Sequence, residues 1–545
     1  MSLHPTFEIC QIKQHGFDLE ANAREILAAA NASTANYCLF SAEAFCPQNL
    51  TLVPFKQALS QAVLENLTKI AAGLKDSVQL ILLAPIFNDG CLEQAVFVLG
   101  RKDYQSFSLR SLFPWPFFLA QVPILSPSLD GKNEFFKLSV LVPKQALPKE
   151  AVFDLNNLDD LALELSSNFD SESVDELQTN AAGEDPAPKN NSVIAILAAI
   201  PFTFGVTNHL GLAVKTLAQK TAQTIYFVNA LGSFEQLIYF GGSFSVQPDG
   251  KFLALKPLFR EDGEICTRHD PVDWEGELWE ALVLGTKDYL EKVGNPRVFL
   301  GLSGGIDSAL VLAIVAEACP RDLITPVLMP SPFNPKSSED DALQLCANLE
   351  LSPFIVPISE LFAQFKVQLA THLNKFPENP LTFENLQARI RAVILMALAN
   401  QASGLILNTS NKSEVAMGYS TLYGDTVGAL AVIGDIFKTQ VYALAKWYNA
   451  QRWNKGIPEN ILTKAPSAEL RLNQKDSDSL PDYEALDPIL ARFLAGHSPH
   501  TALEKDIYKR VIAAEFKRCQ EPHPLIVSET PFSNFHLPVV AQFLP

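Results

Sequence analysis

Two hydrophobic periods alternate along the chain, and the switches between them outline its elements. In the first half, Asn22 to Ala32 spaces its apolar residues as a helix does, whereas Tyr37 to Phe40 and Gln79 to Ala84 are short β-rich runs. Val193 to Ala199 and Thr224 to Val228 are continuous apolar stretches, the pattern of buried strands. Gly241-Gly242-Ser243-Phe244 leads into Gln247-Pro248-Asp249-Gly250, which predicts a hairpin turn. Helices and strands interleaved in this way predict a layered α/β unit.

The second half alternates more regularly. Trp274 to Val293 has helical spacing, Arg297 to Leu302 reads as a strand, and Ala309 to Ala318 as a helix. Ile324 to Met329 is a further strand, Asp340 to Leu349 a further helix, and Gly404 to Leu407 another strand. This order argues for βαβ units and a parallel sheet. Leu386, Ile390, Val393, Ile394, Ala397 and Leu398 fall on one face of a predicted helix, with Gln387 and Arg391 one turn apart on another. At 545 residues the chain is too long for one ordinary core. We expect two domains, residues 1–265 and 273–545.

Charge sharpens that picture. The balance of 42 basic against 60 acidic residues gives a net charge of −18, a poor match for a nucleic-acid backbone, so no nucleic-acid partner is expected. Ten acids and no Lys or Arg lie between Ala151 and Pro188. The region of about 151–190 reads as an exposed, partly disordered acidic insertion, with an acidic docking tract as the alternative. No window holds ~18 unbroken apolar residues, so no membrane span is expected. The N-terminus lacks a signal-peptide pattern. None of the eight cysteines forms a C-x-x-C pair, which reads as reduced thiols and a cytoplasmic location.

The most informative string is Gly301-Leu302-Ser303-Gly304-Gly305-Ile306-Asp307-Ser308, between a predicted strand and a predicted helix. Glycines let a backbone approach phosphate closely, and a helix start adds free N–H groups and positive dipole. Ser303 and Ser308 add hydroxyl donors. The string lacks the lysine of a Walker loop. A carboxylate here, Asp307, makes sense with a cation between it and the phosphates, most simply Mg²⁺. The string resembles the pyrophosphate loop of the ATP-pyrophosphatase superfamily, whose members cleave ATP between the α- and β-phosphates and adenylate their substrate.

Further blocks narrow the substrate. Glu384-Asn385-Leu386-Gln387-Ala388-Arg389-Ile390-Arg391 is one. Leu407-Asn408-Thr409-Ser410-Asn411-Lys412-Ser413-Glu414 is a second, followed by Met417 to Asp425 and by Phe437-Lys438-Thr439-Gln440. With Ala465 to Arg471 and Gln474 to Pro481, they resemble the NAD synthetase family, in particular the synthetase half of its two-domain, glutamine-dependent members. The resemblance runs from about Trp274 to Gln520. It implies a doubly wound parallel sheet of the ATP-pyrophosphatase type, with ATP and Mg²⁺ as cofactors. It also implies that Gly301, Ser303, Gly304, Gly305, Asp307, Ser308, Thr409 and Lys438 hold ATP, with Asp307 and Lys438 catalytic. Asp307 and Glu414 would bind Mg²⁺. Asn385, Arg391, Glu414, Tyr423 and Lys517 would place deamido-NAD, and a homo-oligomer is expected. Phe532 to His536 departs from the family's more basic C-terminal segment.

In such synthetases the first half is a nitrilase-like α-β-β-α sandwich that frees ammonia from glutamine with a Glu, Lys and Cys triad. Cys10-Gln11, Phe227-Val228-Asn229 and Gly241 to Phe244 match its layout. The triad does not match. Pro143 stands at the cysteine position, Ser106 at the lysine position, and Glu43 is a remnant of uncertain register. Cys38 and Cys46 read as buried, inert thiols rather than substitutes. We therefore expect amidation of deamido-NAD with ammonia as the donor. The alternatives are ammonia from a separate glutaminase subunit or remodelled site, and a catalytically silent scaffold.

Overall fold

The computed structural model describes residues 6–46, 56–88, 91–108, 110–112, 117–127, 133–143, 192–261, 273–451 and 456–534. The acidic insertion, and Phe535 and His536 of the C-terminal departure, lie outside the described residues. The chain divides into one unit of residues 1–234 and 238–272 and another of 235–237 and 273–545.

In the first unit, β1 (Phe7–Cys10), β2 (Tyr37–Phe40) and β3 (Gln79–Asn88) run parallel, and β4 (Cys91–Gly100) and β5 (Asp103–Ser108) extend the sheet antiparallel. The second sheet draws on β6 (Arg110–Leu112), β7 (Phe117–Pro127), β8 (Asn133–Pro143), β9 (Ser192–Ala198) and β10 (Ile225–Asn229). After a separate ribbon of β11 (Leu231–Phe234) and β12 (Leu237–Phe240), β13 (Phe244–Val246) and β14 (Phe252–Leu255) complete it. Its order is β14-β13-β10-β9-β8-β7-β6. The predicted hairpin turn joins β13 to β14, with Gly250 in the left-handed region.

Side-chain alternation explains the layering. Ile9, Leu39, Ile81, Leu83 and Val96 face Val140, Ala195, Leu197 and Val228 of the second sheet. Their neighbours Cys10, Cys38, Phe40, Leu80, Leu82 and Phe97 face the opposite way, in one core with the helices Leu19–Ala32 and Lys56–Gly73. The helix Val206–Thr221 packs on β10 and β13, which makes an α-β-β-α sandwich. The first helix starts at Leu19, earlier than its apolar spacing implies, because Asp18 caps it by accepting from the Ala21 N–H at 2.9 Å.

The second unit has a six-stranded parallel sheet. It contains β15 (Val298–Gly301), β16 (Ile324–Leu328), β17 (Phe354–Ile355), β18 (Leu405–Asn408), β19 (Leu430–Ala431) and β20 (His523–Pro524), in the order β17-β16-β15-β18-β19-β20. Chain direction across the sheet reverses between β15 and β18, which opens a crevice at their C-terminal ends. The helix Ile306–Ala318 after β15 is mostly apolar and almost wholly buried, with only Glu317 exposed.

Two helices differ from expectation. The one expected at Asp340 begins at Lys336. In the helix Leu381–Gln401 most of the expected apolar face is in the core, with Ile390 buried and Leu386, Ile394 and Leu398 packed against the same cluster. But Val393 is 69% exposed and Ala397 is exposed too, while Gln387, Ala388, Ala392 and Leu395 are also buried. An apolar stripe alone misses this wider buried side, because Gln387 is held by the Leu470 carbonyl and Arg391 lines the crevice.

Candidate active site

The loop after β15 is tied by its own hydroxyls. The Ser308 Oγ accepts from the Ser303 N–H at 3.3 Å and donates to the Gly305 carbonyl at 3.1 Å, and the Gly305 N–H donates to the Ser303 Oγ at 3.1 Å. Gly304 has φ +77°, and a Cβ there would lie 2.1 Å from the Ser338 carbonyl oxygen, so this position demands glycine. Gly301 makes no such demand, since a Cβ would meet only ordinary contacts at 3.5 Å. The helix Ile306–Ala318 carries no side-chain cap at Gly305, which leaves its first N–H groups for a ligand.

Beneath the loop lies a charged cluster. The Lys438 Nζ donates to Asp307 Oδ2 at 2.6 Å and to Glu414 Oε1 at 2.8 Å, and its side chain is 3% exposed. Burial alone would lower the lysine pKa, but the two carboxylates hold it above its ordinary value. Burial pushes Glu414 up to about 7, against the pull of Lys438. Asn411 couples the two acids. Its Nδ2 donates to Asp307 Oδ1 at 2.9 Å, and its Oδ1 caps the helix Lys412–Met417 by accepting from the Glu414 N–H at 3.1 Å. Tyr483 donates to Asp476 Oδ2 at 3.0 Å and lies 3.4 Å from Glu414 Oε1.

This cluster floors a cavity of about 300 Å³, which Gly301, Ser303, Gly305, Asp307, Ser308, Thr409, Glu414 and Lys438 help to line. Arg391 lines it too, with Nε donating to the Met329 carbonyl and Nη2 to Asn334 Oδ1, both at 3.1 Å. Burial lowers its pKa to about 10. The segment 464–476 borders the same cavity. Glu469 there accepts from Ser338 Oγ at 2.5 Å and from Asn334 Nδ2 at 2.9 Å, with its own backbone at φ +50°.

The other residues expected to place deamido-NAD gather around the loop that precedes β19, whose Tyr419, Gly424 and Asp425 line the same cavity. Thr421 Oγ1 donates to Asn385 Oδ1 at 2.9 Å, and Tyr423 donates to Gln520 Oε1 at 2.8 Å. Lys517 Nζ donates to the Gly418 and Ser420 carbonyls at 2.7 and 2.6 Å. Asp425 is exposed as a residue, but its carboxyl is desolvated among its neighbours, which pushes it up to about 6 although Lys517 and Arg389 pull the other way. Arg391 lines the cavity together with the phosphate loop and with Gly424 and Asp425, and lies close enough to Asp425 to feel its charge. Sequence reasoning passed over Asn411, Asp476, Tyr483 and Glu469. The N-cap position of Asn411, just before Lys412–Met417, was the one signal that local patterning offered.

In the first unit, Glu43 follows β2 and is 1% exposed, accepting from Gln14 Nε2 at 3.4 Å and from the Tyr239 hydroxyl at 3.2 Å. The Ala42 N–H donates to the Ala198 carbonyl at the end of β9. Leu141 of β8 pairs with Ile196, so Pro143, two residues on, stands level with that same end. Glu43 and the backbone of Pro143 therefore flank one corner of the sandwich. Ser106 lies exposed on β5, opposite Phe97. Burial pushes the Cys46 thiol up to about 12, with Glu43 adding to it. A thiol–thiol hydrogen bond raises Cys10, with burial adding to it, and lowers Cys38. Cys46 and Cys10 are not set up as thiolates.

A family model described as NAD synthase matches residues 278–521. The glutamine-dependent NAD(+) synthetase of Synechocystis is 39% identical over 378 residues, covering 65% of this chain and 67% of its own length. That of Thermotoga maritima is 35% identical over 409 residues, covering 64% and 70%. Among solved structures, a glutamine-dependent NAD+ synthetase from Acinetobacter baumannii, in complex with ADP, superposes with a TM-score of 0.69 at 24% identity, over 99% of both chains. One from Cytophaga hutchinsonii superposes with a TM-score of 0.70 at 17% identity, over 99% of this chain and 98% of that one. Likeness of fold thus extends well past the aligned sequence, and the sandwich and parallel sheet are the nitrilase-like and ATP-pyrophosphatase folds expected above. The chain belongs to the NAD synthetase family, in its two-domain form.

Proposed function

We propose that this protein amidates deamido-NAD with free ammonia, using ATP and releasing AMP and pyrophosphate. The ligase half of this reading rests on the Lys438 ammonium set between Asp307 and Glu414 beneath the phosphate loop. In that site the loop N–H groups and the hydroxyls of Ser303 and Ser308 receive the β- and γ-phosphates, with Thr409 and Lys438 also on ATP. Asn385, Tyr423 and Lys517 hold the dinucleotide. A carboxylate oxygen of its nicotinate ring attacks the α-phosphorus, and the bond to the bridging oxygen breaks, so pyrophosphate leaves with the electron pair. Ammonia attacks the acyl carbon, AMP departs with its oxygen, and the nitrogen loses a proton. No protein nucleophile is needed; the site positions reactants and offsets charge.

Asp307 and Glu414 also fit Mg²⁺, being hard oxygen donors. Among the described residues no group of three acids, cysteines or histidines converges as a metal site. Two carboxylates are what Mg²⁺ needs when phosphate oxygens and water complete its shell. When bound there, it would neutralise phosphate charge.

The donor assignment rests on Pro143. Proline carries no thiol, so no thioester with glutamine can form where a nitrilase-type glutaminase holds its cysteine. This is a departure from relatives whose names call them glutamine-dependent. The test compares ammonium and glutamine as donors for NAD formation by the purified chain with deamido-NAD, ATP and Mg²⁺. Turnover with ammonium and none with glutamine is expected. Equal rates would overturn the donor assignment, and no turnover with either would favour a scaffold or a missing glutaminase subunit. The same reading includes a homo-oligomer, supported by the exposed apolar side chains of Leu361, Phe365, Val393 and Met396 on two helices of the second unit. Light scattering that returns a monomer mass would remove it.

A further inference from the structure

Three basic side chains line the cavity among the described residues: Arg391, Lys438 and Lys464. The first two are committed. Arg391 is spent on a carbonyl and an amide, and Lys438 bridges two carboxylates within 2.8 Å. Lys464 differs. Its Nζ donates to the neutral hydroxyl of Ser338 at 3.0 Å, and its nearest acids, Glu469 and Asp341, stand off at 3.8 and 3.9 Å. The lysine is 23% exposed, whereas Ser338 is 2% exposed. Ser338 is also the residue whose carbonyl lies where a Cβ of Gly304 would go. The ammonium therefore rests one side chain away from the phosphate loop, on a different flank from Lys438.

Resting on the ATP-using reading above, we propose that Lys464 is the cation that holds the leaving pyrophosphate. Two negative groups enter the loop with ATP, and the N–H groups there carry only partial charge. A full positive charge that is hydrogen-bonded to a neutral hydroxyl, with its acids no nearer than 3.8 Å, is the least costly one in the cavity to redirect. The arrangement divides the work. Lys438 sits with Asp307 and Glu414, the acids assigned to the metal, while Lys464 takes the β- and γ-phosphates. As the α–β bond breaks, charge accumulates on the pyrophosphate oxygens, and Lys464 stabilises them as they leave. Ser338 gives up the lysine but keeps its own bond to Glu469, so the segment 464–476 stays anchored.

The test is calorimetric binding of pyrophosphate and, separately, of AMP to the full chain with Mg²⁺ present. Lys464→Gln is expected to weaken pyrophosphate about tenfold to a hundredfold while leaving AMP close to wild type. Lys464→Arg keeps the charge and should retain pyrophosphate binding. Ser338→Ala frees the lysine without removing it and should retain it too. Unchanged pyrophosphate binding in Lys464→Gln overturns the proposal. So does equal loss of pyrophosphate and AMP, which would make Lys464 only a prop for its segment. Loss of pyrophosphate binding in Ser338→Ala counts against it in the same way. The binding readout is independent of turnover. A chain that binds pyrophosphate through Lys464 yet makes no NAD would support this inference and sink the proposed function.

Discussion

At the scale of single residues, the site depends on a few positions with no substitute. Gly304→Ala forces a methyl into the Ser338 backbone from a left-handed conformation. It should cost about 2 kcal/mol or more in chemical denaturation and abolish ATP binding. Gly301→Ala meets ordinary contacts and should stay within about 1 kcal/mol of the native protein. Lys438→Met leaves Asp307 and Glu414 without their shared partner. We expect kcat with ammonium to fall about a hundredfold or more, the size of effect seen when a group that stabilises transition-state charge is lost. Asp425 provides a pH signature. Its folded pKa of about 6 lies above the ordinary carboxylate value, so its contribution to stability is full below about pH 4 and is lost as pH rises through 6. In urea titrations, Asp425→Asn should therefore gain on the native protein between those pH values, by less than the full shift implies because solvent screens the exposed residue. A constant difference would contradict this.

At the scale of elements, one carboxylate sets two helix starts. Asp487 accepts from Ser413 Oγ at 2.6 Å, from the Thr439 N–H at 2.9 Å and from Thr439 Oγ1 at 2.7 Å. The Lys438 N–H donates to the same Ser413 hydroxyl at 2.9 Å. The helices that present Glu414 and Lys438 are thereby registered to each other through Asp487 on the buried face of the helix Tyr483–Leu494. Asp487→Ala should cost about 1–3 kcal/mol in thermal or urea unfolding and lower kcat, though the residue touches no reactant. Strand and helix existence was largely legible from spacing, because period two and period 3.6 are local properties. The burial of Gln387 in Leu381–Gln401 was not, because it rests on a hydrogen bond to the Leu470 carbonyl, far along the chain.

At the scale of the whole molecule, the two units carry different fates for one family architecture. The sandwich keeps its layers and a buried acid at Glu43, while a proline ends β8 and an exposed serine stands on β5. Restoring one group should not restore the chemistry. Pro143→Cys is expected to give glutamine-driven NAD formation below about 1% of the ammonium-driven rate, since a thiol without an assisting amine is a poor nucleophile at neutral pH. A glutamine rate approaching that with ammonium would mean that another residue supplies the missing lysine.

Some of this chemistry was already present in the order of residues. A phosphate loop, its strand and its helix occupy contiguous positions, so Ser303 to Ser308 announce themselves without a fold. The missing thiol is likewise a matter of which residue stands in one place. The Asp307–Lys438–Glu414 cluster is of another kind. Asp307 lies more than a hundred residues before the other two, and they meet because β15 and β18 are neighbours where the sheet reverses. Burial then sets their charge states, and burial depends on everything packed around them. The same holds for Lys464, an unremarkable basic residue along the chain. Only the packing of Gly304 on Ser338 brings its ammonium to the edge of the phosphate loop.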